Sequence, residues 1–295
     1  MEISNYKKNN LAAVSVITAA FLWGSMGIFV RNLSVYHITS MEMVAIRAFG
    51  TAFFLAVLLF LYNRKLFRVK LKDLWCFVGS GIVSIVFFNY CYFTTITMTS
   101  LSVAAILLYT APAIVTVLSV FLFKEKMTKR KIAALLIAFL GCVLVTGILG
   151  EKMILSPGGI LVGLGAGIGY ALYSIFGRFA LDRGYDSFTI TFYTFLFAAI
   201  GVLPFIDMTH LTTCIQADTR TIWFALGMVF FTTVIAYLVY TYGLSKMEAG
   251  SASILATLEP VVATLIGFLL YKESMTPDNF IGIVLVLLSA ILVSR

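Results

Sequence analysis

Few residues of this 295-residue chain place a charge inside apolar sequence, and two of them carry most of its chemical potential. Glu259 stands in the middle of an apolar run and is followed at once by Pro260. A carboxylate there can take and release a proton, hold a ligand amine, or act as a constant structural group bonded to its neighbours. Arg47 stands in another apolar run. It does not lose its proton, so it needs a partner or water. It can pair with Glu259, receive a ligand carboxylate, or serve as a structural or snorkelling residue. Its neighbour Glu42 sits at a predicted helix end and reads as interfacial. Pro260 and Pro112 each remove a backbone donor, which frees the carbonyls of Ala256 and Leu108 and kinks their helices. Such kinks either expose backbone groups to a ligand or are plain packing features.

The run that carries Glu259 has an echo. Residues 236–276 laid over 88–128 match Tyr240 to Tyr92, Ala252 to Ala104, Pro260 to Pro112 and Thr264 to Thr116. Lys272-Glu273 fall on Lys124-Glu125, and Met275-Thr276 on Met127-Thr128. Glu259 is the exception, because it faces Ala111. The offset is half the chain, so the sequence is a duplication, read as 1–150 and 151–295. The same comparison pairs Trp23 with Tyr170, Asn89 with Tyr237, and Arg47 with Thr194. Asn89 and Tyr92, Tyr170 and Tyr173, and Tyr237 and Tyr240 are each three apart, a spacing that shares a helix face. Together with Tyr109 they predict an aromatic cavity with a few polar tips, suited to a small amphipathic solute. The alternatives are helix-to-helix hydrogen bonds in a dry core, or an interfacial aromatic belt.

The elements that must position these residues follow from composition. The chain is 61% hydrophobic and 12% charged, with mean hydropathy +1.03. Soluble domains carry about 25% charged residues, so this reads as an integral membrane protein. Ten apolar runs are long enough to span a bilayer: 11–31, 40–62, 74–96, 101–123, 130–149, 158–178, 187–206, 221–244, 250–271 and 279–294. Helices satisfy their own backbone in lipid and are the expected form. The four cysteines have no metal-ligand spacing, His37 and His210 fall in predicted loops, and neither metal nor cofactor is expected. GLGAGIGY (163–170) lies inside an apolar span with no preceding strand, so it is no dinucleotide loop. Its GxxxG spacings suit close helix packing, with dimerisation the lesser reading. The basic segment 63–73 is a topology-setting loop with some lipid contact rather than a nucleic-acid patch.

Lys and Arg in short loops set orientation. With the N-terminus inside, sixteen fall inside: Lys7, Lys8, Arg64, Lys65, Arg68, Lys70, Lys72, Lys124, Lys126, Lys129, Arg130, Lys131, Arg178, Arg183, Lys246 and Arg295. Four fall outside: Arg31, Lys152, Arg220 and Lys272. Both termini are therefore expected in the cytoplasm. The first run is no signal peptide, because 20–31 (AFLWGSMGIFVR) matches 167–178 (GIGYALYSIFGR) in the sixth. Five helices per half is an odd number, so the halves are inserted in opposite orientations. Inverted repeats are a signature of secondary transporters.

At these residues the sequence resembles the EamA-type carriers of the drug/metabolite transporter superfamily. The resemblance rests on ten helices, the FLWGS segment (21–25), Arg47, Pro112, the Glu259-Pro260 pair and the Lys-Glu pairs 124–125 and 272–273. It implies an all-α membrane protein of two inverted five-helix repeats around a central cavity. It also implies export or uptake of small metabolites, often amino acids, without nucleotide hydrolysis, and the expectation for this chain is an exporter or exchanger working by alternating access across the plasma membrane. The expected partners are a small-molecule substrate, the lipid bilayer and protons as the coupling ion. No nucleic acid is expected, and the oligomeric state is expected to be a monomer or weak homodimer. The competing reading is a non-transporting scaffold or sensor on a carrier fold. An enzyme lacks support in the sequence.

Overall fold

The computed structural model describes residues 2–148 and 156–294. The side chains of Lys7 and Lys8, and Lys152, Arg295 and the 150/151 repeat boundary, lie outside the described side chains and residues. Among the described residues, nine helices are long and apolar enough to cross a bilayer. They are α1 (Asn10–Ser34), α2 (Ser40–Tyr62), α3 (Leu71–Met98), α4 (Leu101–Phe123), α6 (Pro157–Asp182), α7 (Ser187–Phe205), α8 (Thr219–Leu244), α9 (Ala249–Tyr271) and α10 (Pro277–Ser294). The remaining run, expected over 130–149, forms the 17-residue helix α5 (Lys129–Val145). It stops early because Gly147 turns the chain at φ 70° and the Thr146 hydroxyl bonds back to the Val143 carbonyl. The outer surface is apolar, with Phe53, Leu61, Phe121 and Leu161 each more than 70% exposed. Lipid, not water, is the solvent for such a surface.

Helix packing obeys the duplication. α1 packs on α8 as α6 packs on α3, and α2 lies on α8 as α7 lies on α3. The pairs α2–α7, α4–α9 and α5–α10 each join equivalent helices of the two halves. Local irregularities repeat too. α3 widens to a π-helix over Gly79–Val86 and α8 over Met228–Ile235. α4 and α9 end on Lys124 and Lys272, both left-handed at φ 56°. Thr128 and Thr276 then accept the backbone N–H of residues Lys131 and Asn279 at the starts of α5 and α10.

The loop contacts divide the molecule into two faces. Tyr185, between α6 and α7, accepts from the Lys70 N–H between α2 and α3. Arg183 bonds Asp73, and Glu125 after α4 bonds the start of α9. These loops hold most of the lysines and arginines and form the basic face. On the opposite face Tyr36 bonds Asp218, Glu42 meets His210, and Arg31 pairs with Glu273. Two expectations change here. His210, expected in a loop, lies in Met208–Ala217, a helix capped by Asp207. Glu42 is not simply interfacial. It is 2% exposed, closes a capping box with Thr39, and bonds His210 Nδ1 at 2.8 Å.

The glycines of α6 explain its close contacts. A Cβ at Gly167 would lie 2.7 Å from the Leu107 carbonyl, and one at Gly163 would strike the Leu107 side chain. One at Gly169 would stand 3.0 Å from the Phe88 Cα. These faces are therefore occupied by α4 and α3 of the same chain.

Candidate functional site

The polar residues of the membrane interior converge where the irregular helix segments cross. α9 breaks at Thr257, whose hydroxyl bonds the Ile254 carbonyl at 2.6 Å, and the chain resumes helix at Leu258. α4 breaks at Tyr109–Thr110, with the Thr110 hydroxyl on the Leu107 carbonyl at 2.6 Å. Pro112 and Pro260 each sit within the first turn after their break, where a missing N–H is tolerated. The break in α9 delivers Glu259 to the interior. The Tyr170 hydroxyl of α6 donates to Glu259 Oε2 at 3.0 Å. Gly24, at the break in α1, lets that helix approach the Glu259 backbone: a Cβ there would lie 2.6 Å from the Glu259 carbonyl oxygen.

Beside this bond lies an aromatic cluster. The Trp23 ring stands 5.2 Å from Tyr237 and 5.0 Å from Tyr240, and Tyr173 stands 4.9 Å from Tyr237. Two hydroxyl pairs fix the phenols: Tyr173 with Thr241 and Tyr240 with Ser174, both at 2.7 Å. The cluster encloses a cavity of about 20 Å³, lined by Trp23, Ser84, Ile85, Phe88, Tyr170, Tyr173, Ser174, Tyr237 and Tyr240. That holds about one water. Two buried polar atoms at its wall, Trp23 Nε1 and Ser84 Oγ, have no partner among the described residues. Unpaired buried donors cost ~1–3 kcal/mol each, so the wall is built to bond something that accepts.

Of the residues singled out from sequence, Trp23, Tyr170, Tyr173, Tyr237 and Tyr240 line this one cavity. Asn89 does not. Its amide donates to the Ile85 carbonyl one turn back in its own helix, at 2.7 Å. Tyr92 lies one ring away, 6.1 Å from Phe88, and Tyr109 is half-buried against the main apolar core. Arg47 is buried and donates from Nε to Thr233 Oγ1 at 3.1 Å. No carboxylate among the described residues forms an ion pair with it. Its repeat counterpart Thr194 bonds Ser80 at 2.6 Å, also against a π segment. Sequence reasoning missed Ser84, Phe88, Ser174, Thr233 and Thr241. The available signal was the hydroxyl content of the runs 80–84 and 232–233 and the doublet Tyr173-Ser174.

Comparison with known proteins decides the family. The model of the EamA-like transporter family matches twice, over residues 10–147 and 157–295. The chain belongs to the EamA-like transporter family. An uncharacterized transporter of Archaeoglobus fulgidus is 29% identical over 77% of this chain and 80% of its own. The uncharacterized transporter YwfM of Bacillus subtilis is 26% identical over 97% and 95%. A crystal structure superposes with TM-score 0.78 at 15% identity, covering 95% of both chains, which shows the shared fold. This EamA-family chain is thus a multi-pass membrane protein of a transporter family, built as two repeats.

Proposed function

We propose that this protein is a secondary carrier of a small organic metabolite, an amino acid or related amphipathic compound, that works by alternating access across the plasma membrane with both termini in the cytoplasm. Glu259 is the coupling carboxylate or the amine site, with protons as the coupling ion. The aromatic wall of Trp23, Tyr173, Tyr237 and Tyr240 receives the apolar part of the substrate. Arg47 supplies positive charge near the same centre. The observation that carries the reading is the cavity wall: an indole N–H and a serine hydroxyl, both buried and without a partner among the described residues, stand next to a tyrosine that bonds the Glu259 carboxylate. Broken helices meeting at mid-membrane are where carriers hold their ligands. A cavity with room for one water fits a carrier between turnovers, whose site widens as its halves rock apart.

Trp23→Phe tests the wall. The ring stacking persists, but the donor is gone. The fold is expected to be as stable as the parent or more so, because an unpaired buried N–H has been removed. Substrate affinity in a liposome uptake assay is expected to fall about tenfold, the worth of one hydrogen bond of ~1.4 kcal/mol. A variant that loses stability and keeps its affinity would show that the indole serves packing alone.

A further inference from the structure

The two halves differ most where α4 crosses α9. On the basic face, Ala111–Phe123 of α4 packs on Ala249–Ala256 of α9. On the opposite face no comparable packing joins Leu101–Leu108 to Leu258–Tyr271, although these are the equivalent segments. Burial shows the same split. Val115 and Thr116 are 1% and 0% exposed, whereas their counterparts Ala263 and Thr264 are exposed and half-buried. Ala249 is fully buried and its counterpart Leu101 is 62% exposed.

A matching difference appears in residues of identical type. Glu125 and Glu273 are equivalent, as are Arg178 and Arg31. Glu125 reaches across to α9 and accepts the N–H groups of Ala249 at 2.6 Å and Gly250 at 3.2 Å. It also pairs with Lys131 at 2.8 Å, the two side chains being 6% and 4% exposed. Arg178 holds the carbonyls of Leu244 and Met247. Among the described residues, the opposite face has neither arrangement. Glu273 pairs with Arg31, and both are about half exposed at 49% and 50%. The first turn of α4 there is capped by Ser100 instead. One position is not equivalent: Lys131 falls on Asn279, which bonds the carbonyls of Leu144 and Val145.

We propose that the Glu125–Lys131 clasp on the first turn of α9 is the gate of the basic face, and that Arg31–Glu273 is the same device in its released form. The molecule therefore rests clasped at the basic face and released at the opposite one. Exchanging the roles of the halves closes the opposite face: Glu273 takes the N–H groups of Leu101 and Ser102, and Arg31 takes the carbonyls of Ile96 and Thr99. Glu125, freed, pairs with Arg178. Only the basic clasp contains an ammonium group, so its closed form is the better held of the two. A cleft of about 590 Å³ on the basic face ends on this clasp, with Glu125, Arg178 and Glu248 in its wall, and shares no lining residue with the central cavity. The proposal rests on the alternating-access reading above, but it is tested without flux.

The test is the separation of spin labels on two equivalent cysteine pairs, Lys126 with Lys246 and Met98 with Ser274, measured by pulsed dipolar spectroscopy. The protein is in lipid nanodiscs, with Cys76, Cys91, Cys142 and Cys214 replaced. The parent is expected to give the shorter distance for Lys126–Lys246. Glu125→Gln and Lys131→Asn each break a buried ion pair, and should raise the share of molecules with the order reversed at least about tenfold. Lys131→Arg keeps the pair and the parent distances. Glu273→Gln, unclasped at rest, keeps them too, and in the Lys131→Asn background it removes the reversed population. Parent distances in both Glu125→Gln and Lys131→Asn would overturn the proposal. So would a basic-face distance that lengthens while the other does not shorten, or a Glu273→Gln protein that shifts as Glu125→Gln does. Shifted distances in a protein that moves no substrate would leave the clasp standing and sink the carrier reading.

Discussion

Glu259→Gln abolishes pH-driven uptake while leaving the fold intact; this is the largest functional effect expected of any single substitution. Glutamine has the shape of the side chain it replaces, and its carbonyl oxygen can still accept from the Tyr170 hydroxyl, the bond that measures 3.0 Å in the parent. What it loses is the ability to take a proton. A charged side chain at the centre of a membrane costs ~2.5–3.5 kcal/mol or more, so the neutral variant is expected to be at least as thermostable as the parent. Uptake driven by a pH gradient should fall to the protein-free background. Exchange of substrate without a gradient separates the two roles of the carboxylate. Retained exchange marks Glu259 as the proton carrier, and lost exchange marks it as the site of a substrate amine. A variant whose uptake follows pH as the parent does would make Glu259 a structural group.

Gly24→Val is expected to have the largest effect on stability. Gly24 stands where α1 breaks before Met26 and leans on α9. A Cβ at this position would lie 2.6 Å from the Glu259 carbonyl oxygen and 2.6 Å from the Val262 Cβ. Neither neighbour can turn aside, because one is backbone and the other is branched at Cβ. The whole of α1 must therefore retreat from α9. Overpacking of this kind costs ~1–3 kcal/mol or more, and the unfolding midpoint in detergent should drop by several degrees. Uptake should fall with it, since the displaced helix also carries Trp23. Gly24→Ala is the milder form and should lie between the two. An unchanged midpoint for Gly24→Val would show that α1 and α9 are not in close contact in the membrane. The account also gives the FLWGS segment a physical meaning: the tryptophan faces the cavity and the glycine admits the backbone of the helix that bears the carboxylate.

The architecture was legible in the sequence because membrane helices announce themselves by length and apolarity, and because the duplication could be read against itself. The register that pairs 236–276 with 88–128 reappears in the structure as paired left-handed ends at Lys124 and Lys272 and paired caps at Thr128 and Thr276. The inward direction of Tyr170, Tyr173, Tyr237 and Tyr240 was legible from their spacing, and Trp23 from its match to Tyr170 in the other repeat. The failure at Asn89 has a local cause. The three-apart rule assumes 3.6 residues per turn, but Asn89 comes three residues after the π-helical stretch Gly79–Val86, whose wider turn shifts the helix faces that follow it. The Asn89 amide bonds the Ile85 carbonyl instead of lining the cavity. The same widening in α8 aims Thr233 at Arg47. Nothing in the sequence distinguishes such a threonine from the packing threonines around it. The Glu125 clasp was also out of reach, because it joins a loop to a helix start 124 residues away. Pairing lysine and glutamate by sequence proximity gives no hint of that contact.

The central claim is that this EamA-family protein moves a small amphipathic metabolite through the site between Trp23 and Glu259. Counterflow tests it most directly. Purified protein is reconstituted in liposomes preloaded with unlabelled amino acids, and entry of a labelled amino acid from outside is followed against protein-free vesicles. Pools of nucleosides and of polyamines are run in parallel. The account predicts transient accumulation of label with the amino acid pool, reduced about tenfold or more by Trp23→Phe at substrate concentrations well below saturation. Folded protein that gives no accumulation with any pool would contradict it and favour a scaffold or sensor on the same fold.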